Sequence, residues 1–446
     1  MRNTHVVVIG SGFGGLAAAK QLAKSSIETT LISANGEHLF QPMLYQVATG
    51  VVDADAIAPP IAEVLRRRRS VDVVTGYVTA IDADRKVITY ATDNGIEHIG
   101  YTYLIVAAGA AQAYFGHDEW AERTFALKTL DDAKALRLQV LRAFEAPADS
   151  ADRTFVIVGA GATGVEVAGQ LAELARTYYR GAEVRIHLVE GAADVLPVYG
   201  GTLSAFTRAR LEKAGVDVLT GTFVTAIEDG VVTVKGADGA ERDIVAGTVV
   251  WSAGVRANPL AGVVADATGC ETDRAGRLLI NRDLTVGGRA DVFALGDMTN
   301  LNDLPGQSPV AMQQGRHAAD VIRGVKAPGA HFRYLDKGSM AIIDTPNAVL
   351  HPPMNLPVFT GLVAWAAWLA VHLYYLAGMG NRVAVVRDWL RAFVGRARPG
   401  FAEVTRGHTV SEPAGTVEPA GEAAHASSAD GGVAGLPDRP RDVPVA

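Results

Sequence analysis

Short apolar runs ending in glycine alternate with helical periodicities over much of the chain. His5-Val-Val-Val-Ile9 is a β-branched run that closes on glycines, and Leu16 to Lys24 has helical spacing, so the chain opens as strand, tight turn, helix. A second strand is predicted at Thr29 to Ser33, and the runs Val71 to Val74 and Tyr103 to Ala108 supply further candidates for a parallel sheet. The same order then restarts, with a strand at Phe155 to Val158, a helix at Val165 to Ala175 and a strand at Val184 to Val189. The chain therefore carries a duplicated βαβ unit.

Between Asp217 and Val250 the pattern changes to short alternating stretches with glycine turns, clearest at Thr222 to Ile227 and Val231 to Val234, which predicts a β-hairpin layer. Strand character returns over Leu278 to Val292 and closes at Phe293-Ala-Leu-Gly-Asp297. Ser308 is then placed to cap a helix with Pro309 at its first position. From Val358 to Met379 the chain is almost wholly apolar, long enough to just span a bilayer. An amphipathic segment follows: Val385, Val386, Trp389, Leu390 and Phe393 share one face, while Arg382, Arg387, Arg391 and Arg396 lie largely away from it. The tryptophans Trp365 and Trp368 sit inside the apolar run rather than at its ends, which favours a helix lying in one leaflet over a spanning one, with a buried core helix as the third reading. Beyond about Arg398 the composition is that of a disordered tail.

Length and charge narrow the field. At 446 residues the chain is too long for one ordinary core. The single cysteine, Cys270, excludes an internal disulfide, a redox cysteine pair and a multi-cysteine metal or iron-sulfur site. A net charge of -7 argues against a nucleic-acid partner. The first apolar run is far too short for a secretory signal, which places the bulk of the protein in the cytoplasm.

The chemistry is signalled by two glycine loops, Gly10-Ser11-Gly12-Phe13-Gly14-Gly15 and Gly159-Ala160-Gly161-Ala162-Thr163-Gly164. In such a loop Gly10 or Gly159 makes the tight turn, Gly12 or Gly161 lets the backbone approach a pyrophosphate, and Gly15 or Gly164 allows the helix to pack closely. One copy is a weak signal. Two copies, each between a strand and a helix, point to two dinucleotides. After the second loop Glu190 ends the next strand, where a carboxylate accepts ribose hydroxyls and repels a 2′-phosphate, so this loop is assigned to NADH rather than NADPH. Ser33 holds the matching place after the first loop, so the nucleotide there needs other contacts, which FAD offers.

Two strand ends, Val106-Ala-Ala-Gly109 with Ala108 and Gly109, and Trp251-Ser-Ala-Gly254 with Gly254, resemble the Ala-Thr-Gly turns of flavoproteins that bind two dinucleotides. Gly296-Asp297 resembles the Gly-Asp pair with which those proteins hold FAD. At greater length, over about residues 5 to 395, the chain resembles the type II NADH dehydrogenases, single-subunit NADH:quinone oxidoreductases. The segments that carry the resemblance are His38-Leu-Phe-Gln-Pro-Met-Leu-Tyr-Gln-Val-Ala-Thr49, Gly164-Val-Glu-Val-Ala-Gly169, Ala311-Met-Gln-Gln-Gly-Arg316 and Tyr334-Leu-Asp-Lys-Gly-Ser-Met340. The resemblance implies non-covalent FAD, NADH as donor and a quinone, menaquinone or ubiquinone, as acceptor, without proton pumping. It implies that Glu166 lies near the flavin, that Gln313 belongs to the quinone motif and that Lys337 lies close to flavin and acceptor; Gln46 joins the cofactor-binding set with Gln313 and Lys337. Three departures stand out: Ser308-Pro309 where the motif begins Ala-Gln, Ser33 where an acid is expected, and Asp344-Thr345-Pro346.

The expected fold is α/β, with two Rossmann-like domains and a carboxy-terminal helical region that associates with a membrane. An FAD-binding domain (1–118 and 265–330) is interrupted by an NADH-binding domain (119–264), followed by the membrane-associating region (331–396) and the tail (397–446). The family implies a peripheral or monotopic enzyme on the cytoplasmic face of the cell membrane, and dimerisation through the carboxy-terminal region would fit it. Two rivals share the glycine loops: a reductase of ferredoxin, and a membrane-bound flavin redox sensor.

Overall fold

His5–Ile9 becomes an inner strand because its β-branched side chains are buried on both faces, Val6, Val7 and Val8 completely. Glu28–Ser33 pairs with it in parallel on one side and Tyr103–Val106 on the other. In the computed structural model, which describes residues 4–180, 182–353, 356–395 and 397–401, this sheet has six strands. Val71–Thr75 extends one edge, while Arg289–Ala294 and Thr285–Val286 extend the other. The last two strands come from beyond the second glycine loop, so the first sheet is completed only after the chain has built another.

Helix α1 (Phe13–Leu22) begins three residues before its periodicity predicts. Gly14 and Gly15 are poor helix formers, but here they pack against the Leu295 side chain and the Gly10 carbonyl, and tertiary contact overrides propensity. Two single-turn helices, α2 (Leu44–Ala48) and α3 (Ile61–Leu65), follow. Helix α4 (Leu130–Glu145) starts on a reciprocal capping box between Thr129 and Asp132 and lies on α2.

The second sheet is parallel throughout, in the order Val216–Thr220, Arg185–Glu190, Thr154–Val158, Thr248–Trp251. Helices α5 (Ala162–Thr177) and α6 (Gly201–Lys213) accompany it. The predicted hairpin layer is present as Phe223–Glu228, Val231–Lys235 and Glu241–Val245. A matching antiparallel layer, Tyr77–Asp82, Val87–Thr92 and Gly95–Gly100, attaches to the first half and was not read from the sequence. Its last strand is almost fully exposed, so it lacks the apolar alternation that announces a strand.

Helix α7 (Leu260–Thr268) precedes α8 (Ser308–Ile322), which packs against α1. Ser308 does not cap α8. Gln307 does, because its backbone is extended and its carbonyl accepts the first bonds of the helix from Val310 and Ala311; Ser308 and Pro309 form the first turn.

Downstream, a three-stranded antiparallel sheet (Ser339–Asp344, Asn347–His351, Phe359–Thr360) leads into a helical hairpin, α9 (Gly361–Tyr375) and α10 (Met379–Phe393). The 22-residue apolar run is thus divided among a strand, α9, a turn and the first residue of α10. Among the described residues no helix is long and apolar enough to cross a membrane. The fifteen residues of α9 reach only about 22 Å at 1.5 Å per residue, short of a hydrocarbon core of ~30 Å. The face expected of α10 is also split: Val385, Trp389 and Ala392 point inward with Asp388, while Val386 and Leu390 are exposed. The helix is turned by Asp388, which accepts the Asp53 N–H at 3.3 Å, and by a bond from Trp389 to Gln46. Packed chain continues past residue 397: Arg398 and Phe401 are buried and Gly400 N–H donates to the Gly50 carbonyl. Arg396 and most of the predicted tail, 402–446, lie outside the described residues.

Candidate active site

The two glycine loops are geometric copies. Gly10 and Gly159 adopt φ of 102° and 95°, and a Cβ at either would lie 2.4 Å from the Ala107 carbonyl or 2.8 Å from the Ala253 N. At Gly15 and Gly164 a Cβ would stand 1.9 Å from the carbonyl of the turn glycine, so the helix rests directly on the turn. Gly12 and Gly161 differ: a Cβ there meets nothing within 4 Å, leaving open space before α1 and α5. Neither helix start has a capping side chain or an acidic residue in its first turn. Both retain free N–H donors and a positive dipole end beside that space, which is the arrangement a pyrophosphate requires. These residues therefore fit two dinucleotides.

Glu190 spans the second loop, its two oxygens accepting the Ala160 N–H at 2.6 Å and the Ala192 N–H at 2.8 Å. The carboxylate keeps lone pairs for a ribose. Replacing Glu190 by serine is expected to raise the efficiency of NADPH relative to NADH roughly ten- to a hundredfold, the scale of one like-charge contact removed near a protein surface. Steady-state kinetics with both nucleotides check this, and an unchanged ratio would contradict the assignment. Ser33, the departure behind the first loop, shares a 2.7 Å bond with Ser11 Oγ and accepts the Gly36 N–H at 3.1 Å. It braces the loop instead of presenting a charge.

The two strand-end turns meet. Gly109 and Gly254 both have positive φ, the segments that follow them pair as Ala110–Gln112 with Val255–Ala257, and Gln112 Nε2 donates to the Ala253 and Gly254 carbonyls. Ala108 N–H points at Met298 Sδ, 3.2 Å away. Gly296 takes φ of 77° and its N–H donates to Gln314 Oε1 at 2.7 Å, fixing the turn that carries Asp297. Burial raises the Asp297 carboxyl, and the Lys128 ammonium opposes that rise. Burial likewise lowers Lys128, offset by Asp297. Gln314 and Lys128 were missed in the sequence. Gln314 sits inside a quoted motif, whereas Lys128 carried no signal.

On the other side of α5, Glu166 is buried and its Oε1 accepts the Ile342 N–H at 3.4 Å. Burial holds its carboxyl well above the usual carboxylate range, which favours the neutral acid, and the Ile342 N–H opposes that rise. Burial raises the Tyr45 and Tyr199 hydroxyls too, and the nearby Glu166 adds to both shifts. Tyr199 donates to the Met340 carbonyl at 3.0 Å. Tyr45 accepts from Gln46 Nε2 at 3.0 Å, and Gln46 Oε1 in turn accepts from Trp389 Nε1 at 2.8 Å. Gln46, expected at the cofactor, thus links α2 to α10. The motif glycine Gly169 lets the Ser339–Asp344 strand reach α5, since a Cβ there would be 1.6 Å from the Ile343 carbonyl.

A chain of ring contacts joins the first loop to the carboxy-terminal hairpin. Phe13 meets His38 and Phe40 edge-on, Phe40 meets His372, and His372 stacks on Trp368 with 3.7 Å between centroids. His38 and His372 each donate from Nδ1 to a carbonyl, of Ser11 and Trp368, and burial lowers both to about 4, so both are neutral at pH 7.

Gln313 and Lys337 are not brought to Glu166 by any described contact. Gln313 exchanges two hydrogen bonds with the Leu335 backbone, at 2.9 and 3.0 Å, and so tethers the segment that carries Lys337. Lys337 is exposed on a turn closed by Gly338 N–H and Asp336. Asp344, part of the third departure, is buried and paired with Arg210 at 2.9 Å.

Two dinucleotide cradles whose neighbouring strand-end turns meet, with a buried acid on the helix of the second, define a nucleotide-dependent oxidoreductase. Residues 4–315 match the pyridine nucleotide-disulphide oxidoreductase family. The chain is 44% identical over 419 residues to the type II NADH:quinone oxidoreductase NdhA of Mycobacterium tuberculosis, covering 89% of each. It is 41% identical over 423 residues to Ndh of the same organism, again over 89% of each. The structure superimposes on NDH2 of Plasmodium falciparum in complex with NADH with a TM-score of 0.79, 18% identity and coverage of 88% of this chain and 98% of that one, a likeness of fold. The chain belongs to the type II NADH:quinone oxidoreductases, within the pyridine nucleotide-disulphide oxidoreductases.

Proposed function

We propose that this protein oxidises NADH and reduces a membrane quinone, menaquinone or ubiquinone, with non-covalent FAD and without proton pumping. The observation that carries the reading is the pair of glycine-loop cradles with Glu166 buried on the helix that begins at the second, its Oε1 accepting the Ile342 N–H close to Tyr45 and Tyr199. Bound FAD supplies the two-electron chemistry between donor and acceptor. The Gly12 end of α1 and Gly296-Asp297 hold FAD, and the Gly161 end of α5 with Glu190 holds NADH. Glu166 stores a proton for the acceptor side, while Phe13, Phe40, His372 and Trp368 pack the first loop against the carboxy-terminal hairpin and exclude water there. Pro309 removes one side-chain contact expected at the headgroup, a loss of about 0.5 to 1.5 kcal/mol for a typical hydrogen bond.

The exposed apolar residues of α9 and α10 support peripheral docking on one leaflet, at the cytoplasmic face, where a lipid-soluble quinone is delivered. Purification from membranes, identification of the released flavin as FAD, and NADH oxidation with a menaquinone analogue or with ferredoxin test the reading. Turnover with the quinone is expected. Activity with ferredoxin alone, or a reduced flavin that no quinone reoxidises, would overturn it.

A further inference from the structure

A run of four arginines, Arg66 to Arg69, follows α3 and is exposed throughout. It has no part in the nucleotide or acceptor sites. The fold sets it beside the helical hairpin: Asn381 at the start of α10 donates to the carbonyls of Asp55 and Ala56, on the segment leading into α3. Arg382 is held at the hairpin turn by bonds to the Tyr374 and Leu376 carbonyls. Lys20 on α1 joins the group, because its ammonium, lowered first by burial, is lowered further by Arg68, Arg382 and Arg316. Among the described residues none of Arg66, Arg67, Arg68, Arg69, Arg316 or Arg382 makes an ion pair with a carboxylate.

An uncompensated positive cluster in a chain of net charge -7 calls for an external anion. Its neighbour says which kind. Along α10 and its C-cap residue Val394, the residues Met379, Val383, Val386, Leu390 and Val394 form an exposed apolar stripe at helical spacing, flanked by Arg387 and Arg391. Positive charge bordering an exposed apolar ridge matches the two layers of a lipid surface, phosphate outside and acyl chain within. A nucleic acid would leave the ridge bare.

We propose that this surface binds anionic phospholipid, with the α10 stripe entering the acyl boundary and Arg66–Arg69, Arg316 and Arg382 meeting the headgroup phosphates. The proposal rests on the peripheral-enzyme reading and adds the lipid class and the residues that select it. The remainder of the chain, being acidic, is repelled by the same bilayer, and that repulsion orients the molecule with the hairpin downward.

The test is flotation of the flavin-loaded, full-length protein with vesicles of phosphatidylcholine alone or with one-third phosphatidylglycerol. Anionic vesicles are expected to bind far better, with the excess lost in high salt. A variant carrying Arg66→Gln, Arg67→Gln, Arg68→Gln and Arg69→Gln is expected to lose roughly 600-fold in affinity for anionic vesicles, since each of the four basic groups at such a surface contributes roughly a factor of five. Its affinity for neutral vesicles, flavin content and melting temperature are expected to stay unchanged. Equal binding of the unaltered protein to both vesicle types would overturn the lipid class and leave membrane docking standing. Binding to neither would overturn both readings, and a quadruple variant that floats like the parent would remove the arginines from the site.

Discussion

Replacing Glu166 by glutamine is expected to lower NADH:quinone turnover roughly a hundredfold, the lower range for loss of a positioned proton-transfer group. Glutamine keeps the size and the acceptor for Ile342 N–H but has no proton to give. NADH-dependent bleaching of the flavin, followed by stopped flow, should slow much less than reoxidation by quinone. Equal slowing of both would assign Glu166 to NADH positioning. A second signature is independent of turnover. Burial raises the carboxyl above its ordinary 4.5, so the folded protein holds this proton more tightly than the unfolded chain. The stability tied to the neutral acid is complete below about 4.5 and is lost as pH climbs through the raised folded value. The variant should therefore melt higher than the parent at alkaline pH, and the gap should close near pH 4.5.

The second large effect separates the loops. Gly15→Ala is expected to yield protein largely without flavin, and Gly164→Ala to yield protein that keeps its flavin but has a KM for NADH raised a hundredfold or more. In both, the new Cβ would sit 1.9 Å from a backbone carbonyl, so the helix must lift off its turn and its N–H groups leave the pyrophosphate. Overpacking of this kind typically costs about 1–3 kcal/mol in stability, small enough for folded protein to be recovered. Flavin absorbance per mole of protein and NADH titration read the two outcomes. Loss of flavin from both variants alike would refute the division of labour between the loops.

The loops were legible because each glycine answers a constraint within a few residues: a positive φ at Gly10, open space at Gly12, a carbonyl beneath Gly15. The same locality made Glu190 readable at its strand end. Its bonds to Ala160 and Ala192 were less so, since they depend on how the loop folds over the strand. Gln46 marks the limit. Its family motif singled it out, yet its partner Trp389 stands 343 residues away, and neither spacing nor periodicity links positions so distant.

Helix α10 shows the same division on a smaller scale. Val385, Val386, Trp389 and Leu390 fall on adjacent sectors of a helix, and a hydrophobic pattern alone merges them into one face. Contact with Asp53 and Gln46 draws Asp388 and Trp389 inward and leaves Val386 and Leu390 outside. The local chain thus specified two dinucleotide units and the quinone-reducing family, because those features are written in short-range sterics and motif spacing. Packing between remote segments settled which acid is buried, which amide is engaged and which apolar surface stays open, because burial and hydrogen bonding belong to the assembled fold.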